Sequence, residues 1–219
     1  MPSNSPLSNS PLSNSPLSNL PADYAEIKRE LREQAHARRN AQEDKDGLSR
    51  QIVARFLALP EYQAAGTVMF YLDVRSEVRT RHSLTDALAS GKRIVVPYCV
   101  DGELELFHLQ AVDELDVGMY KILEPRADLR PLPEKRVDVR ELDLIMVPGV
   151  AFDGRGARMG HGKGYYDKLL EHARPDAPLV ALAFECQLFA EIPVQEHDIF
   201  MDKIITERAI YPGRGRGGV

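Results

Sequence analysis

At 219 residues the chain is long enough for one large α/β domain, and 43% hydrophobic residues suffice for a sizeable core. No apolar run approaches the roughly 20 residues needed to span a bilayer. The formal charge of -5 gives no net attraction to nucleic acid, so an anion site requires Lys and Arg to be concentrated locally. The two cysteines, Cys99 and Cys186, form neither a CxxC nor a zinc spacing, and read as reduced thiols of a cytoplasmic protein.

Residues 4–18 are three copies of Asn-Ser-Pro-Leu-Ser, with Pro6, Pro11 and Pro16 each removing a backbone donor. This stretch is too polar to bury a core, and residues 1–20 are expected to be disordered. It has no basic or apolar segment of a signal peptide and no arginine of a transit peptide. Residues 22–43 are rich in helix formers. Residues 48–59 place Ile52, Val53, Phe56, Leu57 and Leu59 on a helical stripe. Buried strands are expected at 67–72 and 92–97, with a helix at 81–90 between them. Residues 104–109 alternate as a strand, and 113–140, rich in proline and charge, read as mostly loop. The run at 142–152 is the clearest buried strand. A helix at 165–172 and strands at 179–185 and 203–206 complete the pattern. Alternating helices and continuously apolar strands predict an α/β fold: a single three-layer domain over 21–211, with a mostly parallel open sheet and helices on both faces. Residues 212–219 are expected to form a flexible Gly/Arg tail. Its arginines hint at RNA contact, but a free end is the simpler reading.

Between the strand at 142–152 and the helix at 165–172, five glycines fall at 154, 156, 160, 162 and 164, with Arg155, Arg158, His161 and Lys163 between them. Glycine lets backbone approach a ligand closely. A following helix offers free N–H groups, and Arg and Lys add charge-assisted donors. The combination predicts a polyphosphate cradle. It is not a Walker A loop, because Gly164 follows Lys163 where Ser or Thr is required, and its glycine spacing is not that of a Rossmann fingerprint. Asp167, in the first turn of the helix, suits either dipole compensation or Mg²⁺. Lys28 and Arg32, four apart, share one helix face. Taken alone they look like an ordinary solvated face with Glu26, Glu30 and Glu33.

The segments Val147-Pro-Gly-Val-Ala-Phe-Asp153 and Arg158-Met-Gly-His-Gly-Lys-Gly-Tyr-Tyr-Asp167 resemble the 5-formyltetrahydrofolate cyclo-ligase family, and further landmarks extend the resemblance over about 24–208. The resemblance implies ATP contacts by Lys28, Arg29, Glu30, Leu31 and Arg32. It implies further ATP contacts by Arg158, Met159, Gly160, His161, Gly162, Lys163, Gly164, Tyr165 and Tyr166. His161 stands at a variable family position and takes no chemical step. Folate would be contacted by Leu72, Glu77, Tyr120 and Tyr165. Lys121 stands where many members carry glycine. Mg²⁺ would be held by Asp167 and Asp198, and Lys163, Arg158 and Tyr165 would form the catalytic group. The implied reaction is ATP-dependent closure of 5-formyltetrahydrofolate to 5,10-methenyltetrahydrofolate; no nucleic acid or membrane partner is expected, and the sequence leaves the oligomeric state open, with a monomer favoured. Another ATP-dependent phosphotransferase or ligase, or a nucleotide-binding module without turnover, are the alternatives.

Overall fold

The computed structural model describes residues 21–118, 122–195 and 198–216. Its centre is a seven-stranded sheet. In chain order the helices are α1 (Pro21–Ala41), α2 (Lys45–Leu57), α3 (Pro60–Ala64), α4 (Leu84–Ala89) and α5 (Tyr165–Glu171). The large sheet takes β1 (Thr67–Met69), β2 (Arg93–Val100), β3 (Glu103–Leu109), β6 (Leu144–Val147), β9 (Leu179–Leu182), β11 (Lys203–Ile205) and β12 (Ile210–Pro212). Their order is β12-β11-β9-β6-β1-β2-β3, parallel from β11 to β2 and antiparallel at the two edges. Two smaller units flank it: a hairpin of β4 (Leu115–Val117) with β5 (Leu123–Pro125), and a three-stranded sheet of β7 (Ala151–Asp153), β8 (Arg158–Met159) and β10 (Leu188–Phe189).

Strand alternation builds two cores. Val68, Ile94, Leu144, Met146, Val180 and Ile205 face a layer made by Ile52, Val53 and Phe56 of α2, Tyr62 of α3 and Leu84 of α4. Met69, Val95, Ile145, Val147, Ala181 and Ile204 face the other way, toward Leu170 of α5. The expected mostly parallel sheet with helices on both faces is therefore present. Phe56, Phe70 and Tyr62 form a tilted and edge-on aromatic cluster with centroids 5.5–6.4 Å apart. Such pairs contribute about 0.5–1.5 kcal/mol each beyond their buried area.

The structure departs from the expected strands: β1 ends at Met69 rather than 72, and the run at 142–152 is divided. The apolar run at 142–152 is two strands in different sheets, β6 ending at Val147 and β7 starting at Ala151. Pro148 has no N–H to continue the ladder. The Gly149 carbonyl instead accepts from Arg39 Nη1 at 3.3 Å and Gln187 Nε2 at 3.0 Å. The run stays apolar because both halves are buried, β7 beneath α1. There Ala35 packs with Val150, Ala151, Ala157, Met159 and Ile192 in a third cluster.

Within the segment expected as a flexible tail, residues 213–216 are bonded to the body. Gly213 N–H donates to Asp202 O at 2.9 Å and Arg214 N–H to Arg155 O at 2.8 Å. The Arg216 guanidinium donates to the carbonyls of Ala173 at 3.0 Å and Ala177 at 2.6 Å. The Asn-Ser-Pro-Leu-Ser repeat, Tyr120, Lys121 and residues 217–219 lie outside the described residues.

Candidate active site

The order of the large sheet reverses between β1 and β6, because the chain winds to β2 on one side and to β9 and β11 on the other. Ligands of open α/β sheets sit at such points, beyond the carboxyl ends of the strands. A cleft of about 350 Å³ opens there. Its walls include Leu72, Val74 and Glu77 after β1, Pro148 and Gly149 after β6, and Tyr98 and Cys99 near the end of β2.

The basic wall comes from two parts of the chain. Lys28 and Arg32 of α1 line the cleft, as does the whole stretch from Arg158 through Met159, Gly160, His161, Gly162, Lys163, Gly164, Tyr165 and Tyr166 to Asp167. Arg32 Nε donates to Gly160 O at 3.0 Å, so α1 holds the glycine-rich loop directly. Asp198, from the loop before β11, closes the same cleft, and Lys28 Nζ lies 3.3 Å from its Oδ2. Arg29, Glu30 and Leu31 are not among the lining residues. Arg29 pairs with Glu26 and Glu33 on the exposed side of α1, and Leu31 packs into the cluster beneath it. The four-residue helical spacing thus selects Lys28 and Arg32 out of the 28–32 segment.

Arg158 is the most enclosed of the cations, its side chain only 4% exposed. Its Nη2 donates to Asp167 Oδ1 and its Nη1 to Pro148 O at 3.4 Å, while Nε has no hydrogen-bond partner. The guanidinium carbon lies 5.9 Å from the centroid of the Tyr166 ring, within cation–π range. Burial, reinforced by the Glu77 carboxylate, holds the Tyr166 hydroxyl well above its ordinary titration range, so it stays protonated.

Glu77 lines the same cleft from the loop that follows β1. It is buried, and its Oε2 accepts from Val74 N–H at 3.0 Å. The short loop that carries it is stapled by Asp73, which accepts from the N–H groups of Thr80 and Arg81 and pairs with the Arg81 guanidinium. Glu77 is therefore presented at a fixed depth, among the apolar side chains of Leu72, Pro97, Leu104 and Leu123 that also line the cleft.

Asp167 and Asp198 are hard oxygen donors lining one cleft beside a basic loop, a donor set that suits Mg²⁺, which takes one or two protein carboxylates and fills its shell from phosphate and water. Among the described residues no cluster of three or more acidic, His or Cys groups marks a metal cage.

Sequence reasoning missed the β2–β3 hairpin wall of Pro97, Tyr98, Cys99 and Leu104, and β5, which brings Leu123 and Glu124 to the rim. Locally these are unremarkable strands, and only topology brings them to the site. The signal for Arg39 was equally hidden. It reads as one more charge on α1, yet it is buried beneath the site and donates to Ser76 Oγ at 3.0 Å and to Gly149 O.

A model of the 5-formyltetrahydrofolate cyclo-ligase family matches residues 24–207. The probable 5-formyltetrahydrofolate cyclo-ligase of Schizosaccharomyces pombe is 30% identical over 179 residues, covering 75% of this chain and 86% of that protein. The 5-formyltetrahydrofolate cyclo-ligase of Mus musculus is 30% identical over 193 residues, covering 84% and 91%. The NMR structure of 5,10-methenyltetrahydrofolate synthetase from Aquifex aeolicus superposes with a TM-score of 0.73 at 31% identity, over 88% of this chain and 96% of that one. Nearly all of helix α1, the strand–loop–helix block at 147–167 and the cleft they build fall within the matched span, and the chain belongs to the 5-formyltetrahydrofolate cyclo-ligase family.

Proposed function

We propose that the protein uses ATP and Mg²⁺ to close 5-formyltetrahydrofolate into 5,10-methenyltetrahydrofolate, releasing ADP and phosphate, and does so as a cytoplasmic monomer. The observation that carries this reading is the single cleft lined both by a basic, glycine-rich loop and by the buried carboxylate Glu77 among apolar side chains. One half suits a polyphosphate, and the other suits a flat ring bearing N–H donors.

The N5-formyl group is an amide and a poor electrophile. Its oxygen attacks the γ-phosphorus of ATP; the new O–P bond forms as the bond to ADP breaks. N10 then adds to the activated formyl carbon and loses its proton. The C–O bond breaks, and phosphate departs with the formyl oxygen. Enzymes accelerate phosphoryl transfer chiefly by positioning and by neutralising charge. Arg158 and Lys163, with Lys28 and Arg32, supply positive charge along the phosphate path, and Tyr165 and Tyr166 shape the junction of the two substrates. Glu77 orients the folate ring, with Leu72 against its face and Tyr120 as a further folate contact. Asp167 and Asp198 would hold Mg²⁺, which would supply positive charge against the phosphate groups. Arg158 and Lys28, which pair with these carboxylates in the structure, would then be redirected toward phosphate.

The test is product absorbance in reactions that omit ATP, Mg²⁺ or folate in turn. Formation of the methenyl product only when all three are present supports the reading. ATP cleavage that ignores the folate would point to a different phosphoryl acceptor.

A further inference from the structure

The glycine-rich loop touches the folate side of the cleft through one side chain. His161 Nε2 lies 3.5 Å from Glu77 Oε1. The other Glu77 oxygen is already committed to the Val74 N–H, so Oε1 is the acceptor that Glu77 offers to the cleft. His161 rests on His36 of α1, the rings stacked 27° from parallel with centroids 5.4 Å apart. His36 is itself fixed: its Nδ1 faces Arg39 Nη2 at 3.5 Å, and since a guanidinium only donates, Nδ1 is the unprotonated nitrogen. Burial and the charge of Arg39 hold the His36 imidazole below its ordinary titration range. His161 thus lies against a neutral ring with Nε2 beside a carboxylate.

The imidazole is also free to leave. Its side chain is 41% exposed, and it stands between Gly160 and Gly162. Gly162 has φ +88, a region closed to most side chains, and what a Cβ would meet there is only the Arg32 guanidinium, at 3.6 Å. Arg32 in turn holds Gly160 O. His161 therefore sits in a stretch of cleft-lining backbone that α1 grips through Gly160 O.

Resting on the folate reading of Glu77, we propose that His161 is a positioning residue that couples the two substrate subsites: a reduced pteridine whose N–H groups bind Glu77 Oε1 displaces His161, and the glycine-rich loop is thereby released to close on ATP. His161 and the pteridine compete for one oxygen atom. Folate binding and loop closure become linked, and by reciprocity nucleotide binding favours folate.

The experiment is calorimetric titration of the full chain with a non-hydrolysable ATP analogue and Mg²⁺, with and without saturating 5-formyltetrahydrofolate. For the native chain, folate is expected to tighten analogue binding on the order of 10-fold. In His161→Ala the two Kd values are expected to converge, because the loop is no longer held back. In His161→Gln, which keeps a side-chain donor, part of the ratio should return. The proposal is overturned by an unchanged ratio in His161→Ala, by no coupling in the native chain, or by His161→Gln behaving as His161→Ala. Failure here stays distinct from failure of the assigned activity: normal turnover with an unchanged ratio removes only the role of His161, whereas absence of turnover removes the activity.

Discussion

The ammonium of Lys28, on the first helix, lies 3.3 Å from Oδ2 of Asp198, 170 residues further along the chain. The pair closes the cleft by joining its two most distant contributors, and it places a cation next to a carboxylate assigned to Mg²⁺. Lys28→Ala together with Arg32→Ala is expected to raise the KM for ATP much more than that for folate. Hydrogen bonds to charged groups contribute about 1.5–3 kcal/mol, so each lost phosphate contact should cost about 10–100-fold. Initial rates with each substrate varied in turn decide it. An equal rise in both KM values would mean that the pair serves only to hold α1 in place.

Asp167→Asn should lower kcat by roughly 10²–10³, the usual cost of one electrostatic element at a reacting centre. The structure adds a second consequence. Arg158 is almost fully enclosed and pairs with Asp167, so the variant should also melt earlier. Melting alone therefore does not separate a metal ligand from a structural partner. A Mg²⁺ titration of kcat does: the metal role requires half-saturation to move to higher Mg²⁺, and an unmoved midpoint would leave Asp167 as the anchor of Arg158.

Gly213 should not tolerate a side chain. A Cβ there would meet Met201 O at 2.1 Å and Gly156 Cα at 2.9 Å, both backbone. Gly213→Ala is expected to cost about 1–3 kcal/mol, the range for overpacking. Tm should fall by several degrees with kcat nearly intact, as read by calorimetry. A melting temperature equal to the native one would show that residues 213–216 are not anchored as the hydrogen bonds indicate.

Removing residues 1–20 should leave both Tm and turnover unchanged, since a polar repeat with proline at every fifth position has little to bury. Loss of either quantity would make the repeat part of the folded domain.

What could be read from the sequence divides along physical lines. Apolar runs such as Ile94-Val-Val-Pro97 and Leu179-Val-Ala-Leu-Ala-Phe184 announce buried strands, and they fall on β2 and β9. The glycines and cations at 154–164 carry their chemistry locally, so the loop was legible as a basic wall, which the structure places along the cleft, and the 147–167 block identified the family. Positions whose meaning is set by distant parts of the chain were not legible. Apolarity cannot reveal that Val147 and Ala151 belong to different sheets. Arg39 is indistinguishable from its exposed neighbour Arg38 until α1 is laid over Gly149. Arg216 looks like a disordered charge until three carbonyls at the end of α5 and in the following loop converge on it. Lys28 and Arg32 lay between these cases: their spacing showed a shared face, and only the fold showed what that face meets.

The most direct test of the account follows one oxygen atom. 5-Formyltetrahydrofolate labelled with ¹⁸O in its formyl group is incubated with the protein, ATP and Mg²⁺, and the methenyl product and the inorganic phosphate are quantified together by absorbance and mass spectrometry. The account predicts one labelled phosphate for each methenyltetrahydrofolate formed, because the formyl oxygen attacks phosphorus and leaves with it. Unlabelled phosphate accompanying product, or phosphate released with no methenyltetrahydrofolate, would contradict it.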